Sequence, residues 1–416
     1  MTDAAAPPRL SIALASAAAL AYQILLLRLF SITQFHHTAY LVISLALLGY
    51  GASGTLLALR GTRWRVRFDD VYVRLVALAA AAMGLCFGAA QRVMVHPEEM
   101  LWAPREALRL TLVYLLLALP FLAVGAAIGL ALMCHRPRSV YAWDLVGAGC
   151  GSALVVPLLW WLEPAGALRV LALAMVGAAL LATALRERRA RGRAVVVAAA
   201  ALVVVTLPRA WIEPRMSPYK GLSQALRIQG AELVERRSSP LALISVVENP
   251  VVALRHAPGL GLAAPTPPAD QIGLFLDGDT LTPIVDAGDP LDYLDFVTAA
   301  APYHVRRPSS VLVLGAGGGE GVLRAVEGGA SSVVGVEVNP QIIDLVERDY
   351  AALSGSLYGR PGVEIVASDV RGFASRDKRV FDLVEVVAAG DYGGGGPALA
   401  SLSESFLLTV EALGLY

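Results

Sequence analysis

The distribution of hydrophobic and polar positions divides the chain near residue 210. Before that point Ala, Leu and Val dominate in stretches of about 20 residues, which is long enough to cross a hydrocarbon core about 30 Å thick. These stretches lie at 10–30, 38–59, 71–90, 107–134, 140–162 and 166–185, with a shorter one at 194–208. The pattern predicts a transmembrane helical domain over residues 1–210 with six or seven spans.

Small and basic residues add detail to this domain. Gly125 and Gly129, and also Gly147 and Gly151, recur four residues apart, a spacing that allows two helices to approach closely. Arginines cluster after the second, fourth and sixth stretches, at 60–67, 136–138 and 186–193. Because short cytoplasmic loops carry an excess of Lys and Arg, this pattern predicts a cytoplasmic N-terminus in a multi-pass inner-membrane protein.

After residue 210 the chain acquires the composition of a soluble protein. Short β-like runs at 241–249 and 272–278 flank a Pro/Ala/Gly-rich stretch at 257–269, so a small β-rich lobe is expected over 211–305. An α/β Rossmann-like domain of the methyltransferase type is expected over 306–416. The fold class is therefore multi-domain: a helical bundle, a β-rich lobe and an α/β domain.

The α/β prediction depends on residues 309–340. The apolar run VLVL is typical of a strand buried in a parallel sheet, and Gly315, Gly317 and Gly319 follow it directly. A helical pattern then begins at Glu320. Glycines at such a turn allow a ligand to approach the backbone and the start of the helix.

Acidic residues end the next two predicted strands. Glu337 ends VVGVEV and can accept hydrogen bonds from both ribose hydroxyls of a nucleoside, while Asp369 ends VEIVASD, where an adenine amino group would lie. A fourth strand, FDLVEVV, follows at 381–387. The predicted cofactor-binding residues are Gly315, Gly317, Gly319, Glu320, Glu337 and Asp369.

Composition and motifs argue against several other ligands. The formal net charge is zero, so nothing indicates nucleic acid as a partner. Cys86, Cys134 and Cys150 lie in apolar segments at unrelated spacings, and neither a disulfide framework nor a metal site follows from them. A Walker-type Gly-Lys-Ser/Thr is absent, which disfavours nucleoside triphosphates. The run GAGGGEG does not fit Gly-x-Gly-x-x-Gly, which makes a dinucleotide less favoured.

The sequence resembles spermidine synthases, and specifically the bacterial proteins in which such a synthase is fused to a membrane domain. The matching segments are SPYKGLSQ at 217–224, LFLDGD at 274–279, VLVLGAGGGEG at 311–321, VEVNP at 336–340, SDVRGF at 368–373 and LSESFLLTVEAL at 402–413. The resemblance implies decarboxylated S-adenosylmethionine as cofactor and a diamine as substrate. It also implies that Glu337 holds the ribose and Asp369 the adenine.

The sequence departs from the family at the acceptor side. The residues at 387–390 are Val-Ala-Ala-Gly where the family has Asp-Ser-Ser-Asp, and Leu281 stands in place of a Gln. The nearest acidic residues are Glu385 and Asp391. We therefore predict Asp391 as the base, with Tyr392 beside it, and Asp292 and Asp295 as the carboxylate partners of the amine.

Three functions stay open at this point. The chain is expected to be a transferase that uses S-adenosylmethionine or its decarboxylated form on an amine or a membrane-delivered acceptor. Alternatively it is a methyltransferase with the same sulfonium cofactor, or a transporter or sensor that binds a nucleoside or polyamine without turnover. The lipid bilayer is an expected partner, and a homodimer is left open. The α/β pattern stops early at Tyr416, so a fragment is expected.

The stretch 194–208 determines the side on which the C-terminal domain lies. Its hydropathy alone favours a seventh crossing, which would put that domain outside. The supply of a nucleotide cofactor favours the cytoplasm, and a run of 15 residues is short for a crossing. We expect six crossings, a cytoplasmic C-terminal domain, and a segment 194–208 that lies in the interface or packs on the bundle.

Overall fold

The computed structural model describes residues 8–34, 41–93, 95, 102–184, 190–387 and 407–416, and they form two compact units. The first unit comprises Met1–Met216 and Ser238–Pro240. The second comprises Ser217–Arg237 and Leu241–Tyr416.

The first unit is helical. Its helices are α1 (Arg9–Thr33), α2 (Leu41–Arg65), α3 (Phe68–Ala90), α4 (Pro104–Cys134), α5 (Pro137–Trp161), α6 (Pro164–Ala184), α7 (Ala190–Thr206) and α8 (Arg209–Ile212). Among the described helices, α1 to α6 are long and apolar enough to cross a membrane, judged by length and composition. This matches the six long stretches expected from the sequence and is compatible with a membrane protein.

Small residues allow a close contact between α1 and α5. A Cβ added at Gly147 would lie 2.0 Å from the Ala13 carbonyl oxygen, and one at Gly151 would lie 2.1 Å from that of Ala17. The second predicted glycine pair lies at the contact of α4 with α2, where a Cβ at Gly129 would lie 2.5 Å from Leu57. Both pairs therefore lie where helices approach, as their spacing predicted.

The short helix α7 packs along α3 and α6. Near its start Arg193 pairs with Asp70 of α3 at 3.4 Å, and just after its end Leu207 lies against Gly84 of the same helix. The Leu207 carbonyl accepts a hydrogen bond from Arg169, which lies near the beginning of α6. Helix α7 therefore runs parallel to α3 and antiparallel to α6, and it packs on the bundle.

The second unit contains a four-stranded sheet of β1 (Glu232–Ser238), β2 (Leu243–Glu248), β3 (Gln271–Leu276) and β4 (Thr280–Val285), in that order, preceded by α9 (Gly221–Ala225). Strands β2, β3 and β4 pair antiparallel. The turn between β3 and β4 has positive φ at Asp277 (50°) and Gly278 (72°), the values that a type I′ turn requires. The buried Lys220 donates to the Asp277 carbonyl at 2.6 Å and fixes the preceding segment on this turn.

A parallel sheet forms the rest of the second unit. Its strands are β5 (Ser310–Leu314), β6 (Ser332–Glu337), β7 (Val363–Ala367) and β8 (Leu383–Val386), in the order β7-β6-β5-β8. The helices are α10 (Ala301–Val305), α11 (Glu320–Glu327), α12 (Pro340–Asp344), α13 (Val370–Arg376) and α14 (Val410–Leu415), with 3₁₀ turns at Asp292–Phe296, Thr298–Ala300 and Leu357–Gly359 and a π-helical turn at Leu345–Asp349. Apolar residues on both faces of β5 and β6 are buried, as the continuous apolar runs predicted.

Candidate functional site

The carboxyl ends of the four parallel strands meet at one edge of the sheet. Leu314 at the end of β5 pairs with Val336 of β6 and Val386 of β8, and Glu337 pairs with Ala367 of β7. The loop Gly315–Gly319 leaves β5 at this edge and leads into α11. Open α/β sheets bind their ligands at this position, so the edge is the candidate site.

Three glycines give the loop its path. The φ angles of Gly315, Gly317 and Gly319 are 88°, 53° and 98°, in the left-handed region that only glycine adopts at little cost. Space is restricted as well, because a Cβ added at Gly318 would lie 2.1 Å from the carbonyl oxygen of Pro283 in β4. The predicted glycines are therefore required by conformation, and strand β4 of the antiparallel sheet covers the loop.

Glu337 lies at the centre of the site. Its carboxylate accepts hydrogen bonds from the backbone amides of Gly317 (3.0 Å) and Asn339 (2.8 Å), and the residue is only 6% exposed. Burial raises the pKa of this carboxyl, and the bonds from Asn339 and Gly317 partly offset the rise. An ionised carboxylate has about four acceptor positions, so two amide donors leave capacity for hydroxyl groups of a ligand.

Asp369 follows β7 at the same edge and caps α13. One of its oxygens accepts the Gly372 amide at 2.7 Å, and the residue is exposed. The cap uses one oxygen of the two, which leaves the second available for an amino group. Glu337 and Asp369 end adjacent strands, so the structure brings these two predicted residues to one edge.

Glu320 has a different environment from the other predicted cofactor residues. Its carboxylate pairs with Arg324 at 3.2 Å, and the buried Arg324 also pairs with Glu385 of β8. The Tyr303 hydroxyl donates to Glu385 at 3.1 Å. Burial, followed by the negative charge of Glu385, raises the pKa of Tyr303 well above its ordinary value. The four side chains form one internal network that holds both carboxylates.

The two residues predicted to bind the amine, Asp292 and Asp295, lie beside α11. Both are exposed and line a cavity of about 260 Å³ together with Arg324, Glu327 and Gly328. Glu327 ends α11 and Gly328 follows it, whereas Arg324 lies in the middle of the helix and pairs with Glu320 at its start. The roles of Asp292 and Asp295 stay a prediction, as do those of Asp391 and Tyr392, which lie outside the described residues.

Three residues of the site were not predicted. Thr282 accepts the Gly318 amide at 2.6 Å, the Tyr358 hydroxyl donates to the Gly317 carbonyl at 2.6 Å, and Asn339 caps α12 by accepting the Gln341 amide. Asn339 was recognisable, because an Asn before Pro at a helix start is a common cap. Thr282 and Tyr358 carry no local signal, because their contacts arise only when distant segments fold together.

Comparison with known proteins gives a partial match, and no family model matches the chain. The polyamine aminopropyltransferase of Thermoplasma acidophilum is 27% identical over 120 residues, which is 28% of this chain and 42% of that protein. The sequence similarity is to spermidine synthases. The chain thus spans less than half the length of this curated relative.

Two crystal structures of spermidine synthases also align with the chain. One is a complex with the transition-state analogue AdoDATO, with 20% identity, a TM-score of 0.27, and coverage of 37% of this chain and 46% of that one. The other, from Thermotoga maritima, has 21% identity, a TM-score of 0.27, and coverage of 37% and 47%.

Proposed function

We propose that the second unit binds S-adenosylmethionine or decarboxylated S-adenosylmethionine and that the protein is a spermidine-synthase-like transferase acting on an amine. The observation that carries the proposal is the position of Glu337, a buried carboxylate at a strand end in direct contact with a Gly-rich loop. A carboxylate there suits the two hydroxyls of a ribose.

The hydrogen bonds of the loop favour a nucleoside without phosphate groups. The amides of Gly315 and Ala316 donate to the Val336 carbonyl, and that of Gly319 donates to Ala316. The amides of Gly317 and Gly318 donate to Glu337 and Thr282. All five loop amides are therefore used within the chain, and none of them is left to bind a phosphate oxygen. A cationic sulfonium nucleoside beside two carboxylates fits this arrangement.

A buried side chain next to Glu337 also supports a polar ligand. The Asn339 side chain is 2% exposed, and within the described part of the chain its Nδ2 atom has no hydrogen-bond partner. An unpaired buried donor is costly, so a ligand acceptor at this position would stabilise the site. The oxygen of a ribose hydroxyl would satisfy it.

The bound cofactor would supply a carbon atom attached to a positively charged sulfur; an amine nitrogen would bond to that carbon while the carbon–sulfur bond breaks and the sulfur leaves as a neutral thioether. Glu337 would hold the ribose, Asp369 the amino group of the base, and the glycines would give the cofactor room. The attacking amine must lose its proton to a base. Glu385 is held by Arg324 and Tyr303, so we assign this step to Asp391, with Tyr392 beside it.

The acceptor class follows from the curated relative and from two acidic residues. The curated relative is named a polyamine aminopropyltransferase, but this chain matches only 42% of it. Asp292 and Asp295 line a cavity beside α11, and their carboxylates would attract an ammonium group. A diamine or another small amine is therefore the acceptor class to test first.

Binding without turnover is the second candidate. The specific observation in its favour is Glu385, the carboxylate on the fourth strand, because its ion pair with Arg324 and its hydrogen bond from Tyr303 prevent it from acting as a free base. A domain that recognises the nucleoside and lacks a base would serve a sensor or a transporter.

The position of α7 bears on the side of the membrane. Arg193 contacts Asp70 of α3, and Leu207 contacts Gly84 of the same helix. The two contacts are fourteen residues apart in both segments. These are contacts of a helix that packs on the bundle, and α7 is not among the six described helices that are long and apolar enough to cross a membrane. If α7 also crossed and the N-terminus were cytoplasmic, the chain after Pro208 would continue on the outer side.

The deciding experiment uses the purified full chain in detergent. It is incubated with S-adenosylmethionine or with its decarboxylated form and a panel of diamines and monoamines, and the products are identified by mass spectrometry. An aminopropylated amine establishes aminopropyl transfer, and a methylated amine establishes the methyltransferase alternative. Calorimetric binding of either cofactor with no product from any amine would replace the transferase by the binding-only candidate. No binding of either cofactor would contradict the proposal as a whole.

A further inference from the structure

The peptide bond between Gly317 and Gly318 is held from both sides by side chains. Its carbonyl oxygen accepts a hydrogen bond from the Tyr358 hydroxyl at 2.6 Å, and its N–H donates to the Thr282 hydroxyl oxygen at 2.6 Å. Tyr358 lies in the 3₁₀ turn Leu357–Gly359 and Thr282 in β4, so the two contacts come from segments far apart in sequence.

A glycine peptide without such contacts is free to rotate. Because Gly317 and Gly318 lack Cβ atoms, rotation of the peptide between them meets little steric resistance. Rotation would turn the Gly317 carbonyl away from Tyr358 and would disturb the adjacent amide of Gly317, which donates to Glu337 at 3.0 Å. The Gly317 N–H belongs to the preceding peptide, so the orientation of the Gly317–Gly318 peptide acts on this donor through the Cα atom of Gly317, which the two peptides share.

We infer that Tyr358 is a positioning residue for nucleoside binding: it fixes the Gly317–Gly318 peptide, with Thr282 on its other side, and through Gly317 it orients the Glu337 carboxylate. The inference rests on the proposed function for its ligand. Its structural part, the fixation of the loop, stands independently of any ligand.

The surroundings of Tyr358 suit this role. The residue is 5% exposed, and its ring also lies against Gly319, where an added Cβ would lie 3.4 Å from the ring. Burial and the nearby Glu337 raise the pKa of Tyr358 well above its ordinary value, so the hydroxyl keeps its proton and remains a donor. Removal of the hydroxyl would leave the Gly317 carbonyl buried without its partner.

The chain offers a matched control in Tyr350. Its hydroxyl donates to Glu248 at 3.1 Å, in the same unit but away from the Gly-rich loop. Tyr350→Phe and Tyr358→Phe each remove one hydroxyl and one hydrogen bond. A merely structural role for Tyr358 would make the two variants alike.

The test has two measurements on the full chain in detergent. Hydrogen exchange by mass spectrometry, without ligand, should show several-fold faster exchange of the peptide 313–322 in Tyr358→Phe and in Thr282→Val, with the peptide 332–338 unchanged. Calorimetry with S-adenosylmethionine should show affinity about ten-fold weaker in Tyr358→Phe and close to wild type in Tyr350→Phe and Thr282→Ser.

The two measurements separate failure of the inference from failure of the proposed function. Unchanged exchange of 313–322 in Tyr358→Phe would overturn the inference whether or not a nucleoside binds. Equal loss of affinity in the two Tyr→Phe variants would also overturn it. If wild type binds no nucleoside but loop exchange rises in Tyr358→Phe, the loop is fixed as inferred and the proposed ligand is wrong.

Discussion

Glu337 accepts a hydrogen bond from the amide of Gly317, twenty residues earlier in the chain, at 3.0 Å. The contact joins the end of β6 to the loop that follows β5, and it keeps a carboxylate buried at the edge of the sheet. The backbone of the loop and the acidic residue are therefore one structural element, and a change in either should alter the other.

Replacement of Glu337 by Gln tests its role in nucleoside binding. The substitution preserves size but removes the charge, and charge-assisted hydrogen bonds contribute about 1.5–3 kcal/mol each. We expect S-adenosylmethionine affinity to fall by roughly ten- to one-hundred-fold in calorimetry. Glu364→Gln is the control, because Glu364 lies near the start of β7 and pairs with Arg379. Equal affinity in the wild type and Glu337→Gln would remove Glu337 from the site.

The raised pKa of Glu337 predicts a pH dependence of folding stability. A carboxyl whose pKa is higher in the folded state binds its proton more tightly when folded, so its contribution favours folding at low pH. That contribution falls as pH rises from the ordinary glutamate value through the raised one. The difference in free energy of unfolding between wild type and Glu337→Gln should therefore change in favour of Gln as pH rises. A difference independent of pH would show that Glu337 titrates normally.

The restricted space at Gly318 predicts that one added methyl group weakens nucleoside binding. A Cβ there would lie 2.1 Å from the Pro283 carbonyl oxygen, while one at Gly359 would meet no atom within 4 Å. Gly318→Ala should displace the loop from β4 and reduce nucleoside affinity by roughly five- to one-hundred-fold, since overpacking costs about 1–3 kcal/mol. Gly359→Ala should bind like the wild type. Binding by Gly318→Ala equal to that of Gly359→Ala would mean that β4 is not a wall of the site.

A similar comparison is possible within helix α5. Gly147 faces the Ala13 carbonyl of α1 at a distance that leaves no room for a Cβ, whereas Gly149, two residues on, has no atom within 4 Å of its added Cβ. Gly147→Ala should lower the melting temperature in detergent. Gly149→Ala should leave it unchanged or raise it, because Ala has the higher helix propensity by up to about 1 kcal/mol. A lower melting temperature for Gly149→Ala than for Gly147→Ala would contradict the packing of α1 on α5.

Most of the features predicted correctly depend on residues that are close together in the sequence. The run VLVL, the three glycines and Glu337 lie in one strand–loop–helix–strand segment, so spacing alone identified a loop and an acid at one edge. Thr282 and Tyr358 could not be identified in this way, because nothing near either residue in sequence shows that it will contact a glycine peptide. Asp292 and Asp295 were assigned by resemblance; they line a cavity with Arg324 and Glu327, and their role stays a prediction.

Helix α7 shows a further limit of prediction from hydropathy. A window average cannot tell a short span from a helix lying in the interface, because both are apolar. The structure adds contacts at both ends: Arg193 pairs with Asp70, and Leu207 meets Gly84. Fourteen residues of helix rise about 21 Å, less than a hydrocarbon core of about 30 Å. A crossing by α7 would therefore require local thinning of the bilayer.

The membrane topology gives the last prediction. If α7 crosses, alkaline phosphatase fused after residue 215 should be active, because that enzyme folds only outside the cytoplasm, and a fusion after residue 67 should be inactive. Deletion of residues 190–206 should make the fusion after 215 inactive, because the number of crossings falls by one. An inactive fusion after 215 in the intact chain would mean six crossings and a cytoplasmic second unit, as the sequence predicts. The result also decides which pool of nucleoside the second unit meets, since S-adenosylmethionine is normally supplied in the cytoplasm.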